Sequence, residues 1–210
     1  MQAEAIIRCL SCHGHHMWCS PCAVKAHANH PFHRVERWTG HFYEAVSLLD
    51  LGFTLNLGHG GRVCPNNTEE GSSDWSCPQF TILDSAGIFV HHVRWCRCNG
   101  VTVEDKHLQL VRARLFPSSI TKPQTAFTFD VLDQFLIDAL ECKTSAMSFY
   151  QKLRRLTDNA FPNLLPVCFH LKKETTLNCD LDFSGSLSGT NESIKSMERF
   201  VQSKASRLWS

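Results

Sequence analysis

The chain has 210 residues, 21 Lys and Arg against 20 Asp and Glu, a formal net charge of +1 and 43% hydrophobic residues. These values fit one or two globular domains and exclude a chain that binds nucleic acid through overall charge, so any such contact needs a local basic patch. No run approaches the ~18 consecutive apolar residues of a membrane helix, and residues 1–8 are too short and too acidic for a signal peptide.

Cysteine and histidine dominate the start: seven of the twelve histidines and four of the eleven cysteines precede residue 42. An apolar stretch follows, in which residues 44–50 predict a short helix and 53–57 alternate as a strand. Residues 58–74 are rich in Gly, Asn, Ser and Glu and read as a loop. Residues 79–83 and 88–95 predict two strands, and Asp84-Ser85-Ala86-Gly87 between them has the chemistry of a hairpin turn. Residues 108–116 are apolar with Arg112 and Arg114 interleaved, and Pro117 ends them. Phe127, Val131, Leu132, Phe135, Leu136, Ala139 and Leu140 repeat at helical spacing; a second amphipathic helix covers about 145–156 and ends at Thr157-Asp158-Asn159. Beyond it, the small polar run 184–190 has the composition of a disordered segment, and 194–209 could form a loose helix.

The dense part reads Cys9-x2-Cys12, six residues, Cys19-x2-Cys22, four residues, His27, five residues, His33. A Cys-x-x-Cys knuckle presents two thiolates from one tight turn, and tetrahedral zinc needs four such ligands. In a chain that is not secreted, paired cysteines point to metal rather than to a disulfide framework. Four ligands close a structural site, so His13, His15, His16, His30 and His41 are expected to be exposed or hydrogen-bonded histidines instead. No His-Glu-x-x-His stands nearby, and Glu36 is the sole close carboxylate that could serve a catalytic zinc, which favours a structural ion. A second constellation lies further on: His59 and Cys64 flank the turn Gly58-His59-Gly60-Gly61-Arg62-Val63-Cys64, and Cys96-x-Cys98 follows the hairpin. Hairpin ends could bring His59, Cys64, Cys96 and Cys98 together around a second zinc, with Cys77, His91 or His92 as alternative ligands. Cys142, Cys168 and Cys179 read as plain thiols.

Several stretches in order carry a resemblance: Arg8-Cys9-Leu10-Ser11-Cys12, Trp18-Cys19-Ser20-Pro21-Cys22, Ala26-His27, Pro31-Phe32-His33-Arg34-Val35-Glu36-Arg37-Trp38, Leu57-Gly58-His59, Cys64-Pro65, Cys96-x-Cys98, Arg114-Leu115-Phe116-Pro117, Pro123-Gln124-Thr125-Ala126-Phe127-Thr128-Phe129, Phe149-Tyr150 and Leu156-Thr157-Asp158-Asn159. Over residues 8–159 the chain resembles the cysteine-cluster domain associated with KDZ (Kyakuja, Dileera and Zisupton) transposases, abundant in fungal genomes. The resemblance implies a zinc-binding region in front of a ribonuclease-H-type catalytic domain, and its Cys-x-Cys pair supports the second zinc site. It also implies another Cys-x-x-Cys just upstream of Cys9, which this sequence lacks. The complete pattern is similar to a B-box or RING cross-brace, in which ligand pairs one and three share one metal and pairs two and four the other. On that analogy Cys9, Cys12, His27 and His33 form a full site, and Cys19 and Cys22 lack partners; a compact site from Cys9, Cys12, Cys19 and Cys22 is the alternative. After Asn159 the family continues into a catalytic domain, whereas residues 160–210 carry no convergent trio of acids for metal-dependent phosphoryl transfer.

The expected fold is α+β: a small zinc-knuckle (B-box- or RING-like) module at 8–38, a short antiparallel hairpin and two helices within 39–159, and a divergent, poorly ordered tail at 160–210. The expected function is a non-catalytic zinc-binding module of a truncated KDZ-type transposon protein, intracellular and nuclear, contacting DNA or other transposase chains. A B-box-like protein-interaction module and an inert transposon remnant are the alternatives. Residues 108–158 hold seven Lys and Arg, including Lys122, Lys152, Arg154 and Arg155, against five Asp and Glu, a small excess that fits a solvated helix face. Trp18 and Trp38 are expected to pack around the knuckles. No membrane and no small-molecule substrate is expected.

Overall fold

The computed structural model describes residues 5–14, 16–66, 79–98, 106–120, 123–158 and 199. Two sheets and four helices make up the described fold. The first sheet contains β1 (Ile7–Cys9), β2 (Met17–Trp18), β3 (Val35–Trp38) and β4 (Tyr43–Val46), in the order β2-β1-β3-β4 with antiparallel pairing throughout. Between β2 and β3 runs α1 (Ser20–Ala26). Pro21 sits in its first turn, where the N–H that proline lacks would have no helical partner anyway. Ile7, Ala23, Val35, Leu48 and Phe53 form the small core beneath this sheet.

The second sheet has the order β5-β7-β6-β9-β8, from β5 (Thr54–Asn56), β6 (Gln79–Asp84), β7 (Gly87–Arg94), β8 (Leu115–Pro117) and β9 (Thr125–Thr128). The predicted hairpin is its centre: β6 and β7 pair from Gln79↔His92 to Asp84↔Gly87. The Asp84 carboxylate accepts the Ala86 N–H at 2.9 Å and closes the turn. Gly87 has a φ of 140°, and a Cβ there would lie 2.6 Å from Arg34 Nη2 and 2.7 Å from Thr157 Oγ1, so only glycine fits. The sheet is mixed, since β5 pairs with β7 and β6 with β9 in parallel.

Alternation along β6 and β7 divides the core in two. On one face Leu83 and Ile88 meet α3 (Phe129–Glu141) and α4 (Ala146–Thr157) through Val131, Leu132, Phe135, Phe149 and Leu153. On the other, Phe80, Ile82, Val93 and Trp95 pack with Leu57, Leu115 and Leu110 of α2 (Lys106–Arg112). Thr128 and Ser145 cap α3 and α4, each hydroxyl accepting a backbone N–H three residues on at 3.2 Å.

Three expectations change. Residues 44–50 are not a helix: Tyr43–Val46 joins β3, and Ser47 and Asp50 close a turn in which each bonds the other's backbone N–H. Pairing buries Val46 against the small core, a gain that a lone helical turn lacks. Residues 108–116 divide into the end of α2 and β8, with Arg114 at φ 60° turning the chain between them. The helix expected from Phe127 begins at Phe129, because 125–128 are claimed by β6 and β8 as β9. The segments 184–190 and 194–209 lie outside the described residues, Arg199 apart.

Candidate metal centres

The N-terminal sheet assembles the first group. Cys9 ends β1, Cys12 follows in the loop to β2, His27 caps the C-terminus of α1, and His33 stands two residues before β3. Their ligand atoms all lie within 4.8 Å of one another. Cys12 Sγ is 3.3 Å from His33 Nδ1 and 3.6 Å from His27 Nε2, and Cys9 Sγ is 3.7 Å from His33 Nδ1. A tetrahedral zinc with Zn–S of ~2.3 Å and Zn–N of ~2.0 Å sets sulfur and nitrogen ~3.5 Å apart, so these separations fit one ion.

The surroundings orient the ligands. His27 is 0% exposed, and its Nδ1 lies 2.8 Å from the Ala23 carbonyl. Donation from Nδ1 leaves the Nε2 lone pair facing the thiols, the tautomer a metal requires. The Ser11 N–H donates to Cys9 Sγ at 3.4 Å, as expected where a knuckle holds a thiolate. Trp18 packs edge-on against His27 at 5.4 Å between ring centroids. Burial, with His30 and His27 close by, holds the His33 pKa below its ordinary value and favours the neutral, ligating imidazole.

Cys19 and Cys22 fall outside this group. They flank the start of α1 and interact with each other: the Cys22 thiol and N–H hold the Cys19 thiol below its usual range, while Cys22 itself is raised.

The second group stands beside the five-stranded sheet. His59 lies in the 3-10 turn His59–Gly61, Cys64 follows, and Cys96 and Cys98 come just after β7. Their ligand atoms also lie within 4.8 Å of one another. Cys96 and Cys98 Sγ are 3.3 and 3.2 Å from His59 Nε2; Cys64 Sγ is 3.8 Å from Cys96 and 3.9 Å from Cys98. Those sulfur separations exclude disulfides, which need ~2.05 Å, and match the ~3.8 Å edge of a tetrahedron with Zn–S of ~2.3 Å.

Local backbone chemistry shapes this group too. His59 has a φ of 48° and Gly58 a φ of 83°, and a Cβ on Gly58 would lie 3.1 Å from Cys96 Cβ. The glycine therefore admits the ligand strand. Burial works against ionising Cys64, but the N–H groups of Arg97 and Asn66 and the Cys96 and His59 side chains outweigh it and bring the thiol down to about 6. Cys98 is pushed up to about 11 by hydrogen bonding with Cys96, by burial and by Cys64. Without a cation the thiols share limited negative charge; a dication would deprotonate them together.

Sequence reasoning missed Gln109. Buried on α2, it accepts the Cys96 N–H at 2.8 Å and donates to the Cys96 carbonyl at 3.2 Å, fixing the ligand's backbone. A glutamine at a core position of a short apolar helix was the available signal. Among the other expected groups, Cys77 lies outside the described residues. His91 is buried and belongs to neither ligand group, and Lys152 is ion-paired with Asp138 at 2.8 Å. Among the described residues no helix is long and apolar enough to cross a membrane.

No curated protein and no solved structure matches the chain. A family model matches residues 48–161, just over half of the chain. The match takes in His59, Cys64, Cys96 and Cys98 and begins after the N-terminal group, a shorter reach than the resemblance from residue 8 implied; it identifies a cysteine-cluster domain and no catalytic domain. The chain therefore belongs to the family described as the CxC2-like cysteine cluster associated with KDZ transposases.

Proposed function

We propose that the chain is a non-catalytic, zinc-stabilised module of a KDZ-type transposon protein, which contacts DNA or the other chains of a transposition complex. One zinc is held by Cys9, Cys12, His27 and His33 and a second by His59, Cys64, Cys96 and Cys98. The observation that carries this reading is the convergence of the second group inside the family's own region, with sulfur and nitrogen spaced as one tetrahedral ion requires. Three thiols and one imidazole make a closed, soft ligand set that leaves no position for substrate, which supports structural zinc over catalytic zinc.

Native mass spectrometry of the purified chain, with and without chelator, tests the metal. The expected result is two zinc ions per chain; a folded chain carrying none would refute the proposal. Retention on duplex DNA across a salt series tests the partner. Loss of retention with rising salt would support phosphate contact. Salt-independent passage would leave the complex's protein chains as the contact, in line with the near-neutral charge and the engagement of Lys152 with Asp138.

A further inference from the structure

We infer that the groove between the N-terminal sheet and the edge of β7 takes an extended peptide strand from a protein partner, with a carboxylate of that strand against Arg34. The groove has a volume of about 550 Å³, within the usual range of ligand sites. Val35, Val46 and Leu48 line one wall, and Ile88, Val90 and His91 the other.

The β7 wall is a strand edge. β5 pairs with β7 only across His92–Arg94, so among the described residues no strand lies on that side of residues 87–91. The Ile88 N–H turns away from β6 and donates to Thr157 Oγ1 at 2.7 Å. In an antiparallel ladder alternate residues point their N–H and C=O the same way, which aims those of Val90 into the groove. A main-chain edge of this kind is met best by another main chain, added as a strand.

Charge and buried polarity narrow the occupant. Arg34 lines the end of the groove, and its guanidinium donates to the Ala86 carbonyl at 2.5 Å. No carboxylate pairs with it among the described residues. A partly buried cation with no counter-ion favours an acidic group in the occupant. At the other end His91, 1% exposed, lines the same groove, with the Pro31 backbone against its ring. A neutral imidazole that donates to a carbonyl keeps one acceptor nitrogen, which can take a peptide N–H. From Gly87 to Val90 the edge spans four residues of β7, roughly 10 Å at ~3.3 Å per residue. Glu36 and Asp50 also line the groove, which disfavours a nucleic-acid backbone there.

The test uses the zinc-loaded full chain and a defined probe, an acetylated hexapeptide alternating valine and threonine and ending in aspartate, followed by backbone amide NMR. Saturable shifts at Ile88 to His91, with the acidic probe bound roughly tenfold more tightly than its asparagine-amide counterpart, are expected from a charge-assisted contact. Arg34→Gln should abolish that preference. Val90→Pro removes the outward N–H and should abolish binding without loss of zinc. Because that variant could misfold, a probe N-methylated at alternate residues gives the same readout on the unaltered protein and should not bind. No saturable shift up to ~1 mM, equal binding of the N-methylated or uncharged probe, or displacement by a single-stranded oligonucleotide would overturn the inference. Zinc content is measured in the same samples, so failure of this groove and failure of the metal proposal are separable.

Discussion

The N-terminal sheet and the five-stranded sheet each carry one group of four residues that could hold a metal, yet they bury very different amounts of apolar side chain. Among the described residues five buried ones support the first sheet, and two of those, Leu48 and Phe53, come from the chain that follows it. Among the same described residues nine buried ones lie on one face of the second sheet and eight on the other, including Phe80, Phe127, Phe149 and Trp95. A core as small as the first is insufficient for independent stability, and structural zinc supplies about 10 kcal/mol or more to such modules. The second sheet has a core of ordinary size, and its ligands lie in the loops at one end. On the proposed reading, metal would stand in for a core in one region and tie loop ends together in the other.

The largest effect follows from breaking the first group. Cys9→Ser or His33→Ala should abolish amide-exchange protection across residues 7–46, while β6, β7, β9, α3 and α4 remain protected. The matching substitution in the second group, Cys98→Ser, should remove one zinc and leave the protection of those elements intact. Equal loss of protection in the two variants would contradict the contrast.

A core substitution reverses the pattern. Phe149, 0% exposed and packed against Phe135 at 5.1 Å between ring centroids, should cost about 3–5 kcal/mol when changed to Ala, read from denaturant unfolding of the five-stranded sheet. Zinc bound at the N-terminal group should not change.

A smaller effect sharpens the comparison at the boundary between the regions. Burial among Phe32, Phe53 and Phe89 drives the His91 pKa from 6.5 to about 4, with the Pro31 backbone weakly opposing. Because the folded-state pKa is the lower one, the unfolded chain takes up the proton first as pH falls. The stability contributed by neutral His91 is full above about 6.5 and is lost as pH falls from there through about 4. His91→Phe should remove this part of the acid destabilisation, read from denaturant unfolding at about pH 7 and about pH 5. Identical pH profiles for the two proteins would show that folding does not shift the His91 pKa.

Much of this arrangement was legible in the sequence for physical reasons. Two strand-like runs joined by the turn chemistry of Asp84-Ser85-Ala86-Gly87 marked the hairpin, and helical periodicity marked α3 and α4, because the helical pattern reports which faces are buried. Spacing proposed both ligand groups that converge. The sequence did not show that residues 43–46 form a strand or that β5 and β9 join the hairpin in parallel, since such pairing depends on partners distant in the chain. Gln109 stayed hidden for a related reason: its value lies in reaching Cys96, thirteen residues away and across a turn. Spacing also left two partner sets open for Cys9 and Cys12, a choice that depends on where α1 carries His27.

The central claim, two tetrahedral sites drawing on five thiols and three imidazoles, is tested most directly by zinc X-ray absorption of the loaded chain. The account predicts two zinc ions with an average of 2.5 sulfur and 1.5 nitrogen ligands each, from Cys9, Cys12, His27 and His33 at one and His59, Cys64, Cys96 and Cys98 at the other, with Zn–S at ~2.3 Å. An average near ~3.5 sulfurs would place Cys19 and Cys22 beside Cys9 and Cys12 in an all-thiolate tetrahedron and contradict it.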